Sequence, residues 1–437
     1  MKYIVYLLLF FISKFAFAQS NPQEFNKAKE LSDTIIEHLK TKEFGKIHFY
    51  FDNKLKEKLS KEEVEKKFNQ LSKSLGEIEE VLDFDEKVTA EGTTYLSGLQ
   101  FKNGKFDLSI SLNKEEKIES ITIKSYKFKG KWKIPAYVNE NNYTTESIKV
   151  GNQMPLLGEF GKAKTEDELI IVVMVHGSGP NDMDESVGPN KIFKDLAYGL
   201  ANQGISSIRY NKRSYDYPTE MTKYINSITI DQLVVDDAVN AIELAKEFGA
   251  KKVILIGHSL GGHMAPKIAE KAKLSGVITL AGNASPLSEL ILPQYEYLML
   301  NDPETQITEI ALNTLNFQLN KLNSGDYDST TVGAMLPLGL PGSFWFSLKD
   351  YKPTELAKKQ DQPYLILNGE KDYQVTKKEA KKWKNGNKNK ASKTIIYPKL
   401  NHLFYAGEGV LLPSEYEQEA HFDEEVLKDI AQWIKSL

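Results

Sequence analysis

The run "KKVILIGHSLGGHMA", residues 251 to 265, places a serine between two glycines at a change of character in the chain. "VILIG" has the continuous apolar pattern of a buried strand and "GHMAPKIAEKA" that of a helix, so Ser259 falls on the turn joining them. A side chain at Gly257 or Gly261 would clash if the serine were pushed into a strained, exposed conformation there. A hydroxyl presented in that way is an acyl-transfer nucleophile. The bland alternative is a strand–helix turn whose glycines serve close packing alone.

Such a serine requires a base, an acid to orient the base, and N–H donors for the developing oxyanion. The acid and then the histidine must follow it in the chain. "PYLILNGEKDYQVT" reads as a buried strand ending in a polar loop, and Asp372 lies just past its end, with Glu370 the rival carboxylate. Asp372 is preferred because the loop needs a few residues to turn a side chain back across the sheet. Two histidines lie beyond it. His402, in "YPKLNHLFY", follows the last expected strand and is read as the base, whereas His421 opens the C-terminal helix as a surface or capping residue. His258 and His263 are too close to Ser259 in sequence to reach over its hydroxyl and are read as local packing. The donors are expected from Leu260 N–H and from the turn "HGSGP" after the strand "ELIIVVMV", with Ser178 preferred and Gly177 the alternative.

These residues need a scaffold. Strand-like runs "ELIIVVMV", "ISSIRY", "KVILIG", "GVITLA", "PYLILNG" and "KTIIYP" alternate with amphipathic stretches such as "TIDQLVVDDAVNAIELAKEFG" and "FDEEVLKDIAQWIKSL". That alternation predicts an α/β domain over residues 143–437, a mostly parallel sheet covered by helices, with its chemistry at the carboxyl ends of the strands. An insertion at about residues 284–360 is expected to form a helical cap over the nucleophile. Phe344, Trp345 and Phe346, in "PGSFWFSLKDY", are candidate walls of an acyl pocket, or else packing between cap and sheet.

The stretches "VHGSGPNDMDESVGPNKIFKDLAYGLANQGISSIRYNKR", "GHSLGGHMAP", "LAGNASPLSELILPQ", "NGEKDYQVT" and "NHLFYAGEG" together resemble the α/β-hydrolase family. The resemblance is to bacterial secreted-type serine esterases close to the prolyl-oligopeptidase-like branch. It implies a Ser259, Asp372, His402 triad and hydrolysis of an acyl bond through an acyl-enzyme. A small-molecule ester is then the expected substrate, with no metal or organic cofactor. A serine peptidase or amidase is the runner-up, and a non-catalytic module on a hydrolase scaffold the third class. The chain departs from the family pattern in details, such as "YNKR", where an aspartate before Lys-Arg is more usual.

Upstream, residues 24–126 are rich in lysine and glutamate, with helical patterns followed by the strand-like runs "TTYLSGLQF", "KFDLSISLN" and "KIESITIKSY". This order predicts a small α+β domain and resembles, weakly, the NTF2-like domains; a polar connector is expected at 127–142. The leader "MKYIVYLLLFFISKFAFAQS" has a basic start, an apolar stretch and the small-residue pattern Ala16–Ala18, which predicts a signal peptide (1–18) and a secreted or periplasmic protein. A retained anchor is the alternative there; after cleavage no stable membrane insertion is expected.

At 437 residues the chain is long enough for two cores, and its net charge of -4, without a concentrated basic block, advertises no nucleic-acid partner. It has no cysteine, which excludes disulfides, thiolate metal sites and a cysteine nucleophile together.

Overall fold

The computed structural model describes residues 22–126, 130–165, 168–383 and 388–437, so the expected leader lies outside the described residues. The chain divides into two compact units, one ending at Lys131 and the other beginning at Trp132.

In the first unit, helix α1 (Pro22–Lys40) and helix α2 (Lys61–Leu75) precede four strands, β1 (Ile78–Val88), β2 (Gly92–Phe101), β3 (Gly104–Asn113) and β4 (Ile118–Ser125). The strands form an antiparallel meander in chain order. Helix α2 starts where its sequence says it should: Ser60 accepts from Glu63 N–H, and the Glu63 side chain reaches back to Ser60 N–H. Ile35, Ile47, Leu99, Leu108 and Ile110 are buried between helices and sheet. A cavity of about 270 Å³ in this unit is lined by residues including Leu39, Phe44, Phe68 and Phe101.

The second unit is built on an eight-stranded sheet. An antiparallel hairpin, β5 (Tyr143–Val150) and β6 (Leu156–Ala163), forms one edge. Then come β7 (Ile170–Val175), helix α3 (Ile192–Ala201), β8 (Ser206–Tyr210), helix α4 (Asp236–Glu247), β9 (Lys252–His258) and helix α5 (Leu260–Lys271). After β10 (Gly276–Leu280) the chain makes a helical insertion, α6 (Leu287–Asn301), α7 (Glu309–Ser324) and α8 (Gly342–Ser347), within the span expected for a cap. It returns through β11 (Tyr364–Gly369), α9 (Lys377–Trp383), β12 (Lys393–Tyr397) and the last helix, α10 (Glu424–Lys435).

The strand order is β12-β11-β10-β9-β7-β8-β6-β5, and the six strands from β12 to β8 run parallel. Why those six read as unbroken apolar runs is visible in β7. Ile171, Val173 and Val175 pack with Ala241 and Ile242 of α4 and Met264 of α5, while Val172 and Met174 pack with Phe193 of α3 and Ile430 of α10. Side chains alternate between the faces of a strand, and here helices cover both, so every position must be apolar. This is a mostly parallel α/β sheet covered on both faces.

The segment after Lys131 is not a free tether. Trp132 donates its indole N–H to Asp195 Oδ1 at 2.7 Å, and the Tyr137 hydroxyl donates to the Phe422 carbonyl at 2.9 Å. Both rings pack against the core formed by α3 and α10. Among the described residues no helix is long and apolar enough to cross a membrane.

Candidate active site

Strand β9 ends at His258 and α5 begins at Leu260, leaving Ser259 alone to make the turn at φ +50°, ψ -114°. That region is costly for a residue with a side chain, and surrounding contacts must hold it. They do: Ser259 N–H donates to the Leu280 carbonyl of β10 at 2.8 Å, and Ser259 O accepts from His263 N–H at 2.9 Å. The flanking glycines are sterically required. A Cβ on Gly257 would lie 2.4 Å from the Gly261 backbone, and one on Gly261 would lie 2.2 Å from the Val175 carbonyl. The strand, the helix and the neighbouring strand β7 approach too closely there for any side chain.

Asp372 and His402 come from the loops after β11 and β12, and their contact is direct. His402 Nδ1 is 2.7 Å from Asp372 Oδ2, with both residues buried. The other carboxylate oxygen, Oδ1, accepts Gln374 N–H and Val375 N–H, each at 2.8 Å. The carboxylate is thus fixed before it meets the imidazole. Glu370, by contrast, is exposed and ion-paired with Lys377. His421 lies 3.1 Å from Asp195 through Nδ1, away from this pair, and that carboxylate holds its imidazolium above the ordinary range.

His402 is tied to the residue that precedes the serine. His258 Nε2 lies 3.0 Å from the His402 carbonyl, and the two rings are 4.8 Å apart. His258 is therefore more than local packing, which was its reading from sequence. His263 is buried with Nδ1 3.0 Å from the Asn283 carbonyl, and burial pushes its pKa down to about 4, so it is a neutral core histidine.

The turn "HGSGP" sits against the serine from the β7 side: a Cβ on Gly177 would be 3.1 Å from Ser259 Cβ. Gly177 donates its N–H to Glu185 Oε1 at 2.6 Å, so that donor is already committed. Its carbonyl accepts from the buried Lys212 Nζ at 2.6 Å, and from Asn181 Nδ2 at 3.3 Å. In a trans peptide the following N–H points opposite to the carbonyl, so Lys212 turns Ser178 N–H away from itself. Among the described residues no acceptor is hydrogen-bonded to Ser178 N–H. Leu260 N–H is the first of α5 and has no intrahelical partner. Burial pushes Lys212 down to about 8, with Glu185 and Asp237 opposing.

The loop behind this turn is held by buried charge. Arg209 of β8 pairs with Asp184 and with Glu159 of β6, and Lys191 Nζ reaches Asp184 at 2.9 Å. Nothing in the spacing of the sequence singles out Glu185, Lys212 or Arg209, and "YNKR" stands out there only by the aspartate it lacks.

The three aromatic candidates separate. Phe344 and Trp345 are buried, pack edge to face at 5.3 Å, and belong to the core that includes Leu260 and Met264. Phe346 is 49% exposed with Lys349 Nζ 5.6 Å from its ring centre, so it is not a buried wall. The insertion that carries them grips the machinery at two points. Tyr351 donates its hydroxyl to the His263 carbonyl of α5 at 2.7 Å, and Gln294 of α6 donates to the Gln374 carbonyl in the acid loop at 2.8 Å.

Residues 32–121 match a family described as a protein of unknown function (DUF3887). Among solved structures, this fold is similar to an esterase of Pyrococcus furiosus, with 12% identity, a TM-score of 0.43, and coverage of 71% of this chain and 99% of that one. It is also similar to the acylaminoacyl peptidase of Pyrococcus horikoshii, with 14% identity, a TM-score of 0.42, and coverage of 82% of this chain and 51% of that one. In sequence, esterase EstD of Thermotoga maritima is 33% identical over 401 residues, which is 91% of this chain and 93% of the relative. With that identity sustained along nearly the whole of both chains, the protein belongs to the α/β-hydrolase family of esterases that includes EstD.

Proposed function

We propose that this protein is a serine carboxylesterase, cleaving esters of small or medium acyl chains through an acyl-enzyme on Ser259. The observation that carries the reading is the buried 2.7 Å contact between His402 Nδ1 and Asp372 Oδ2, linked through His258 to the end of β9, where Ser259 follows at φ +50°. A hydroxyl in a strained turn, an imidazole, and a carboxylate that fixes the imidazole tautomer are the parts acyl transfer requires.

The steps follow from those positions. His402 Nε2 takes the Ser259 hydroxyl proton as Oγ bonds to the ester carbonyl carbon, and the carbonyl π electrons move onto oxygen. Ser178 N–H and Leu260 N–H hold that oxyanion. His402 then returns the proton to the leaving alkoxide as the C–O bond breaks, and the alcohol departs. Water attacks the acyl-enzyme by the same route, His402 again moving the proton, and the carboxylic acid is released. Asp372 remains a carboxylate throughout and stabilises the imidazolium. Phe344 and Trp345 of the insertion, which belong to the same core as Leu260, are the candidates for the apolar side of an acyl pocket.

The name of EstD favours an ester over an amide. Short p-nitrophenyl esters should be turned over well and aminoacyl anilides poorly. Preferential cleavage of the anilides would replace this reading with a peptidase.

Export belongs to the same proposal and rests on the leader alone. The mature chain should begin at Gln19, as the intact mass of protein from the native host would register; an intact Met1 would contradict it.

A further inference from the structure

We propose that Glu185 and His258 form a buried ion pair, with His258 held as an imidazolium, that locks the oxyanion turn and the His402 loop onto the nucleophile turn. This rests on the reading of Ser259, Asp372 and His402 as the catalytic centre; neither Glu185 nor His258 is given a chemical step.

Both ring nitrogens of His258 face acceptors. Nδ1 is 2.9 Å from Glu185 Oε1, and Nε2 is 3.0 Å from the His402 carbonyl oxygen. A carbonyl oxygen has no proton to give. A neutral imidazole carries one N–H, so one of the two contacts would set lone pair against lone pair. With Glu185 as a carboxylate, only the imidazolium satisfies both. A proton on Glu185 Oε1 would weaken that oxygen as the acceptor of Gly177 N–H at 2.6 Å, a contact that the charged carboxylate makes more strongly.

The surrounding charges agree with that assignment. Burial opposes the charged form of His258, but the Glu185 carboxylate, the His402 carbonyl and Asp372 together hold its pKa above the ordinary value. Burial likewise opposes a charged Glu185, and His258 outweighs it, leaving that carboxyl below its usual range. The other groups near Glu185 do not take the partner's place. His176 is pushed down to about 4 by burial and is neutral, and Lys212 Nζ is engaged by the Gly177 carbonyl. A buried carboxylate is stable only where a counter-charge and hydrogen bonds replace water, and His258 supplies the counter-charge.

One carboxylate oxygen therefore ties together three separate segments: the Gly177 turn, the end of β9, and, through the ring, the backbone of His402. Glu185 itself is held at φ +47°, a strained conformation for a residue with a side chain. Rapid acyl transfer requires the oxyanion donors and the base in register at once, and a displacement of about 1 Å costs on the order of a hundredfold in rate. Glu185 and His258 are thus positioning residues.

The test reads the ring directly. In protein labelled with ¹⁵N-histidine, the ring whose signal vanishes in His258→Gln should carry both N–H protons through neutral pH. In Glu185→Gln, which keeps an acceptor for Gly177 but removes the charge, that ring should become singly protonated. The same variant should lose kcat by roughly a hundredfold with KM little changed, since it disturbs transition-state geometry and not substrate binding. A neutral His258 in the wild-type protein would overturn the proposal, and so would a folded Glu185→Gln enzyme with unaltered kcat. If Glu185→Gln does not fold, the wild-type ring state still decides. That state is read without turnover, so a wild-type protein that cleaves no ester would defeat the catalytic reading and not the ion pair.

Discussion

Two carboxylates two residues apart show how a site is selected at the scale of single side chains. Glu370 projects to solvent and is neutralised by Lys377, so its charge is screened and worth little. Asp372 is 3% exposed, accepts two backbone N–H groups, and meets His402 at 2.7 Å. Asp372→Asn should therefore lower kcat by roughly 10³–10⁴-fold in a folded protein, because the amide presents the wrong tautomer of His402 to the serine. Glu370→Gln should leave turnover near wild type. Steady-state kinetics with a p-nitrophenyl ester separates them, and a crippled Glu370→Gln beside an active Asp372→Asn would move the acid by two positions. Spacing singled out Ser259, Asp372 and His402, because each follows a particular strand in a fixed order, and the structure brings Asp372 and His402 into contact. It did not single out the supporting residues. Asp182, Asp184 and Glu185 stand within four positions of one another in "NDMDES"; all three are buried, and nothing in their spacing says which one meets His258. Lys212 is one of 56 lysines and arginines, and its burial is a property of the folded loop alone.

Among the elements, legibility followed burial. The six parallel strands are covered on both faces, so their apolar runs stood out from the polar sequence around them. The edge hairpin β5 and β6 gave no such run. Most of β5 is exposed, with Thr144, Thr145 and Glu146 on its surface, and Gly158 and Gly161 interrupt β6. Strand β1 was hidden in another way. It holds Glu79, Glu80, Asp83, Asp85 and Glu86, and its register slips between Ile78 and Glu80 and again between Val81 and Asp83, which breaks the period-two pattern. The polar stretch from Trp132 to Asn142 read as a connector because its composition is polar, yet two aromatic rings, Trp132 and Tyr137, are enough to dock it. Helix α8 shows the same limit. Three consecutive aromatic residues look alike in sequence, but a helix turns successive positions through about 100°, so Phe344 and Trp345 are buried while Phe346 is left exposed.

For the molecule as a whole, every residue assigned a part in acyl transfer lies in the unit that begins at Trp132. The first unit, matched by a family of unknown function, has its own core and its own cavity and supplies none of them. The central claim is that one serine in the whole chain is a nucleophile, and a phosphonate ester probe tests it most directly, since it reacts only with a hydroxyl held beside a base and facing oxyanion donors. Peptide mass mapping of the labelled, full-length protein should find a single modified peptide containing Ser259, with ester hydrolysis abolished in step with labelling. Ser259→Ala should lose both, with turnover down on the order of a thousandfold or more, because only the oxyanion donors and substrate binding remain. Labelling at another residue, or a folded Ser259→Ala protein that still hydrolyses the ester, would contradict the account and leave Gly257 and Gly261 as packing glycines.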